Sequence, residues 1–152
     1  IPRMAPRHLC SKPGTLTADE IKVMREHTMI GARILSGGRS ELMIVAERIA
    51  LNHHEHWDGS GYPNGLKGEE IPIEARIVAL ADCVDALSST RPYRSAWPAA
   101  AVTDEIKRAN GKQFDPKVFD ALMRTGFGRS IVSSMPRIVE SLQAHAWKSL
   151  GI

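Results

Sequence analysis

An all-α fold is what this sequence predicts, and three observations carry the prediction. Apolar residues recur at the spacing of one helix face, helix-start signals precede those stretches, and glycine-containing breaks separate them. Thr17-Ala18-Asp19-Glu20 has capping-box spacing, in which the threonine hydroxyl and the glutamate satisfy backbone donors at a helix start. A first helix is therefore predicted over Ala18–Leu35, ended by Gly37-Gly38. Ser40 caps a second helix, in which Leu42, Val45, Ala46, Ile49 and Ala50 form an inward stripe that His53 continues. Residues 55–68 concentrate Gly, Asp, Asn and Pro, cannot sustain a helix, and make a loop long enough to suggest function. Pro72 suits the first turn of a third helix, continuing through residues 76–87 and expected to be the most buried. Pro98 opens a fourth that stops near Gly111, and Asp115-Pro116 reads as an N-cap and first-turn proline for a fifth reaching about Thr125. After Gly126-Phe127-Gly128 a last amphipathic helix is predicted over residues 136–150, suited to pack on the domain or to form a homodimer surface.

At 152 residues and 43% apolar content, the chain suits one globular domain with a sizeable core. Cys10 and Cys83 form no CxxC pair, which disfavours a zinc ribbon or a disulfide framework and points to a reducing compartment. No apolar run approaches a membrane span and no signal-peptide pattern opens the chain, so a cytoplasmic location without membrane insertion is expected. A net charge of +3 would help attract an anionic ligand such as a phosphate ester, although an ordinary solvated surface is the more common reason for such a charge. Basic residues are dispersed and aromatics scarce, so DNA binding has little support.

The chemistry concentrates in His53-His54-Glu55-His56-Trp57-Asp58-Gly59-Ser60-Gly61-Tyr62-Pro63. Neutral imidazoles are the commonest metal ligands, and few structural roles need two adjacent histidines at a helix end. His27 lies in line with Met24, Gly31 and Ile34, which turns it toward the core. Alone it reads as a satisfied core histidine; with His53 and His54 also turned inward, a bound cation supplies a shared reason for their desolvation. Asp82 sits in an apolar helix where a carboxylate is costly unless paired or metal-bound, and Asp85 faces nearly the same way. The competing reading pairs both aspartates with Arg76 or Arg91. A His/Asp ligand set without thiolate favours iron, manganese or zinc, and metals sharing carboxylates suit hydrolytic phosphoryl transfer. Arg91-Pro92-Tyr93-Arg94 would neutralise phosphate charge through arginine forks. Tyr62 could stack on a base or bond a phosphate; Trp57 is expected to anchor the loop and His56 to face solvent.

These residues resemble the HD-GYP family, a subgroup of the HD phosphohydrolase superfamily that in bacteria hydrolyses cyclic di-GMP. The resemblance runs from about residue 12 to 116 through Lys12-Pro13-Gly14, Glu26-His27-Thr28, the His53-His54-Glu55 to Gly61-Tyr62-Pro63 segment, Ile71-Pro72, Ala81-Asp82, Asp85-Ala86-Leu87, Arg91-Pro92-Tyr93-Arg94 and Phe114-Asp115-Pro116. It implies an HD-domain helical bundle with extra C-terminal helices, the domain occupying residues 1–125 without its N-terminal part and a helical extension occupying 126–152. It implies two or three divalent metal ions, iron or manganese ahead of zinc or nickel. By position His27, His53 and His54 would hold one metal and Asp82 would ligate a neighbouring one, with Asp85 nearby as a candidate catalytic group. Tyr62, Arg91 and Arg94 match contacts to the cyclic dinucleotide. The loop bearing Gly59, Gly61, Tyr62 and Pro63 is associated with binding diguanylate cyclase (GGDEF) domains. Products would be linear pGpG, GMP or both.

The His-Asp doublet that names the family would stand immediately before Ile1, which supports a longer parent chain with an upstream sensor or receiver domain. Where the family usually has Ile-Gly-Lys after the doublet, this chain has Ile1-Pro2-Arg3, so Arg3 is expected to stand in for a phosphate-contacting lysine. Were these residues the whole polypeptide, weak metal binding and no turnover would follow. The leading expectation is a metal-dependent cyclic di-GMP phosphodiesterase. The alternatives are an inactive module that binds the dinucleotide or a GGDEF-domain protein, and a general HD phosphohydrolase acting on other nucleotides.

Overall fold

The structure, a computed structural model, describes residues 15–90 and 95–124. They form five α-helices: α1 (Ala18–Leu35), α2 (Glu41–Asn52), α3 (Ile73–Ser88), α4 (Ala99–Ala109) and α5 (Pro116–Arg124). A 3₁₀ turn, Gly68–Glu70, precedes α3, and an isolated bridge joins Asn110 to Phe114. The helical prediction therefore holds for these residues. The predicted helix over 136–150, the extension over 126–152, and Arg3, Arg91 and Arg94 lie outside them.

The helix starts follow the capping chemistry. Thr17 Oγ1 accepts from the Glu20 N–H at 3.3 Å while Glu20 Oε2 accepts from the Thr17 N–H at 2.8 Å, closing the capping box. Ser40 Oγ accepts from the Met43 N–H at 3.3 Å. Pro72 and Pro98 each stand one residue outside their helices, as N-caps rather than first-turn residues. Asp115 caps α5: its Oδ1 accepts from the Lys117 N–H at 2.8 Å, and its Oδ2 accepts from Arg76 Nη1 at 2.8 Å. That ion pair, 13% and 0% exposed at its two side chains, ties α3 to α5.

The core gathers Leu80, Val84 and Leu87 from α3, Val102 and Ile106 from α4, Phe114, and Phe119 from α5. As expected, α3 contributes most buried positions. The α1–α2 hairpin is different. Leu42, predicted to face inward, is 76% exposed, and Ile34, in line with His27, is 64% exposed. Among the described residues no element covers these faces, so helical periodicity alone overstated their burial. The hairpin closes instead through small residues: a Cβ added to Gly31 would lie 3.3 Å from the Ala50 Cβ, and Thr28 and Ala32 beside it are buried.

Candidate metal centre

The same close approach assembles the histidines. His27 lies one turn N-terminal to Gly31 on α1, and His53 lies one turn C-terminal to Ala50 at the end of α2. With Gly31 against Ala50, the two imidazoles meet, and His27 Nε2 stands 3.3 Å from His53 Nε2.

The backbone decides what those nitrogens offer. His27 Nδ1 is 2.7 Å from the Met24 carbonyl oxygen, and His53 Nδ1 is 2.9 Å from that of Ile49 and 3.1 Å from that of Ala50. A carbonyl only accepts, so each Nδ1 donates its proton and each Nε2 of the neutral ring presents a lone pair. Two lone pairs at that separation cannot bond each other, whereas a shared cation satisfies both. Metal–nitrogen bonds of ~2.0–2.1 Å at tetrahedral to right angles put neighbouring ligand nitrogens about 2.8–3.4 Å apart.

His54 completes the group: the three histidines offer ligand atoms all within 4.8 Å of one another. Burial lowers its pKa to about 4, assisted by the neighbouring imidazoles of His53, His27 and His56, so its ring is neutral at neutral pH. Unlike its two partners, the His54 ring makes no hydrogen bond among the described residues and is held by ring contacts. Tyr62 stacks on it at 4.9 Å between centroids and 25° between planes, and the His53 ring lies 4.1 Å away. The Arg25 guanidinium sits 4.7 Å from the Tyr62 centroid. With its ring so engaged, Tyr62 offers a ligand its hydroxyl more readily than a stacking face. Burial raises the pKa of that hydroxyl; Arg25 opposes the shift and Asp82 adds to it.

Other expectations change. Asp82 is solvent-exposed, so the desolvation premise fails, and its carboxylate is not among the clustered donor atoms. It is close enough that its charge reaches Tyr62. Arg76 does not pair with either aspartate of α3, being engaged by Asp115 and by the Ile71 carbonyl. Asp85 is half-buried and accepts from Ser89 Oγ at 3.4 Å. His56, expected to face solvent, is half-buried with its Nδ1 3.0 Å from Ser60 Oγ.

The loop is docked as expected around Trp57, whose N–H donates to the Gln113 carbonyl at 3.2 Å and whose carbonyl accepts from the Gly68 N–H at 3.0 Å. Gly59 adopts φ of 86°, and the Tyr62-Pro63 peptide is cis. Gly61 is required by contact rather than by torsion: a Cβ there would collide with the His56 backbone nitrogen and lie 2.5 Å from Glu55 Cα. One residue escaped the sequence reading. Glu55 is 2% exposed, its Oε1 accepting from the Asn64 N–H at 2.7 Å and its Oε2 from the Leu66 N–H at 3.0 Å. A signal was present: an acidic residue at the mouth of a glycine-rich loop, where turning backbone leaves donors in need of an acceptor.

With this geometry in view, the relatives are informative. A family model described as HD domain matches residues 4–118. The chain is 51% identical over 119 residues to the cyclic di-GMP phosphodiesterase response regulator RpfG of Xanthomonas campestris, covering 78% of this chain and 32% of that protein. It is 47% identical over 119 residues to a cyclic di-GMP phosphodiesterase of Thermotoga maritima, with the same two coverages, 78% and 32%. It is also 43% identical over 118 residues to the 3′3′-cGAMP-specific phosphodiesterase 2 of Vibrio cholerae, covering 78% of this chain and 23% of that protein. The chain belongs to the HD domain family and, within it, to the HD-GYP type. It spans about a third or less of the length of these relatives.

Proposed function

We propose that the chain is the catalytic domain of a metal-dependent phosphodiesterase that opens cyclic di-GMP to pGpG, GMP or both, in bacterial second-messenger signalling. The observation that carries this reading is the convergence of two bare Nε2 atoms at 3.3 Å with His54 beside them. The names of the relatives, all cyclic-dinucleotide phosphodiesterases, support the substrate class.

In this reading His27, His53 and His54 hold one of two or three divalent ions and Asp82 a neighbouring one, iron or manganese being preferred. When bound, such ions polarise a phosphoryl oxygen and bring a water toward deprotonation near neutral pH. The protein's own part is orientation and charge. Backbone carbonyls keep the Nε2 lone pairs of His27 and His53 turned to a common point, and burial keeps His54 uncharged. The Tyr62 phenol, kept protonated by burial, donates a hydrogen bond to a phosphate oxygen. Arg91, Arg94 and Arg3 neutralise the phosphates, bidentately where geometry allows, and Asp85 is the candidate proton acceptor. The 59–63 loop is the proposed docking site for a GGDEF-domain protein. A cytoplasmic location, an upstream sensor or receiver domain and a homodimer complete the proposal; no helix among the described residues is long and apolar enough to cross a membrane.

The test is turnover by the metal-loaded parent protein, with elemental analysis, on cyclic di-GMP and 3′3′-cGAMP side by side. Bound iron or manganese and cleavage of cyclic di-GMP are expected, and His53→Ala should lower both metal content and turnover, the latter by on the order of 100-fold or more. A metal-loaded parent protein that leaves cyclic di-GMP intact overturns the reading in favour of an inactive binding module. Preference for 3′3′-cGAMP would move the substrate to that of the Vibrio relative.

A further inference from the structure

We infer that Glu55 is a positioning residue: its carboxylate latches the far side of the loop so that the Tyr62 ring fixes the orientation of His54. The role in turnover rests on the phosphodiesterase reading above; the role in ring placement does not.

The argument begins with the difference between the three imidazoles. His27 and His53 are each anchored through Nδ1 to the carbonyls of their own helices, so the helix backbone sets their rings. His54 lies past the end of α2 and has no such anchor among the described residues; from outside the trio, the Tyr62 ring stacks on it. Tyr62 is on the loop, where three contacts hold it. Its N–H donates to the His54 carbonyl at 3.1 Å, Gly61 packs against the backbone of Glu55 and His56, and residues 64 and 66 are tied back to residue 55.

Glu55 is the part of this arrangement that joins distant backbone. Its two oxygens bind N–H groups nine and eleven residues on, at 2.7 and 3.0 Å, from a side chain almost wholly removed from water. Both contacts need an acceptor, which a carboxylate supplies at both positions. A glutamine supplies only one and turns its NH₂ toward the other backbone N–H. Without the latch, those two part-buried amides lose their acceptor and the loop that carries Tyr62 is released. Groups that orient a metal ligand from behind commonly change metal affinity or activity by about 10- to 100-fold when removed.

The experiment compares Glu55→Gln and Glu55→Ala with wild type, using the parent protein at a temperature where circular dichroism shows all three folded. Amide hydrogen exchange should quicken at Asn64 and Leu66, less in Glu55→Gln than in Glu55→Ala. Cobalt(II) affinity, followed by its visible absorption, should fall by about 10-fold in Glu55→Ala. On cyclic di-GMP, kcat should fall further than KM rises. The change should shrink when either variant is combined with Tyr62→Leu, because Glu55 acts through that ring. A purely structural role predicts a lower unfolding temperature with cobalt affinity unchanged, or losses that simply add to those of Tyr62→Leu; either result overturns the inference. If wild type cleaves no cyclic dinucleotide, the functional reading fails separately, and cobalt affinity with exchange still decides whether Glu55 places His54.

Discussion

The two halves of this molecule are built by different means. The α3–α5 half packs long apolar side chains around Phe114 and Val102 and closes its edge with the buried Arg76–Asp115 pair. The α1–α2 hairpin meets through Gly31 and Ala50, leaves Ile34 and Leu42 largely in water, and carries the histidines at its open end. Burial stabilises the first half. The second half depends on close backbone approach and on polar anchoring, and its loop is docked onto the first through Trp57 and Asp58. The difference teaches that the three histidines sit outside the apolar core cluster, so their placement depends on hydrogen bonds to carbonyls and on the latched loop.

The sharpest way to break this contrast is to truncate matched apolar residues in each half. Phe114→Ala should cost about 4 kcal/mol in unfolding free energy, because a fully buried ring leaves a cavity, whereas Leu42→Ala should stay within about 0.5 kcal/mol. Urea unfolding measures both, and equal losses would refute the division. Next in size is Asp115→Ala, which strands the Arg76 guanidinium beside a largely buried site; a loss of about 3 kcal/mol is expected, and Arg76→Met with Asp115→Leu should recover much of it.

A smaller effect is expected where the halves meet. Gly61→Ala forces a methyl into the backbone of Glu55 and His56 and should cost about 2 kcal/mol, with faster hydrogen exchange in the loop and little change in the α3–α5 core. The smallest concerns pH. In the folded, metal-free chain His54 titrates at about 4 against an ordinary 6.5, so the unfolded chain binds the proton more readily. The resulting stability is fully present above pH 6.5 and is lost as pH falls from 6.5 toward 4. It amounts to roughly 1 kcal/mol once the shift is discounted for a half-exposed ring. His54→Gln should flatten that stretch of the stability profile; an unchanged slope would assign it to another group.

Much of the helical frame was legible in the chain. Thr17 and Glu20 announce α1, Ser40 announces α2 and Asp115-Pro116 announces α5, because a cap and its helix lie within four residues of each other. The three histidines were also legible as a group, since His27 lies in line with the inward residues of α1 and His53 and His54 follow the inward stripe of α2. Burial was less so. Periodicity turned Leu42 and Asp82 inward, yet both are exposed, because whether a face is covered depends on elements elsewhere in the chain. Glu55 was missed for a related reason: its partners, Asn64 and Leu66, are backbone amides, and a backbone amide leaves no mark in the residue types.

By itself, then, the sequence determined the helices, their order and the residue types able to bind a metal, since these follow from local capping, spacing and donor chemistry. Only the tertiary structure decided that Nε2 atoms 26 residues apart face one another, that carbonyls hold their protons on the far side, and that Tyr62 covers His54. Those facts come from the middle of α1, the end of α2 and a loop meeting in space, and the close approach of Gly31 to Ala50 that brings them together acts between segments that no local pattern relates.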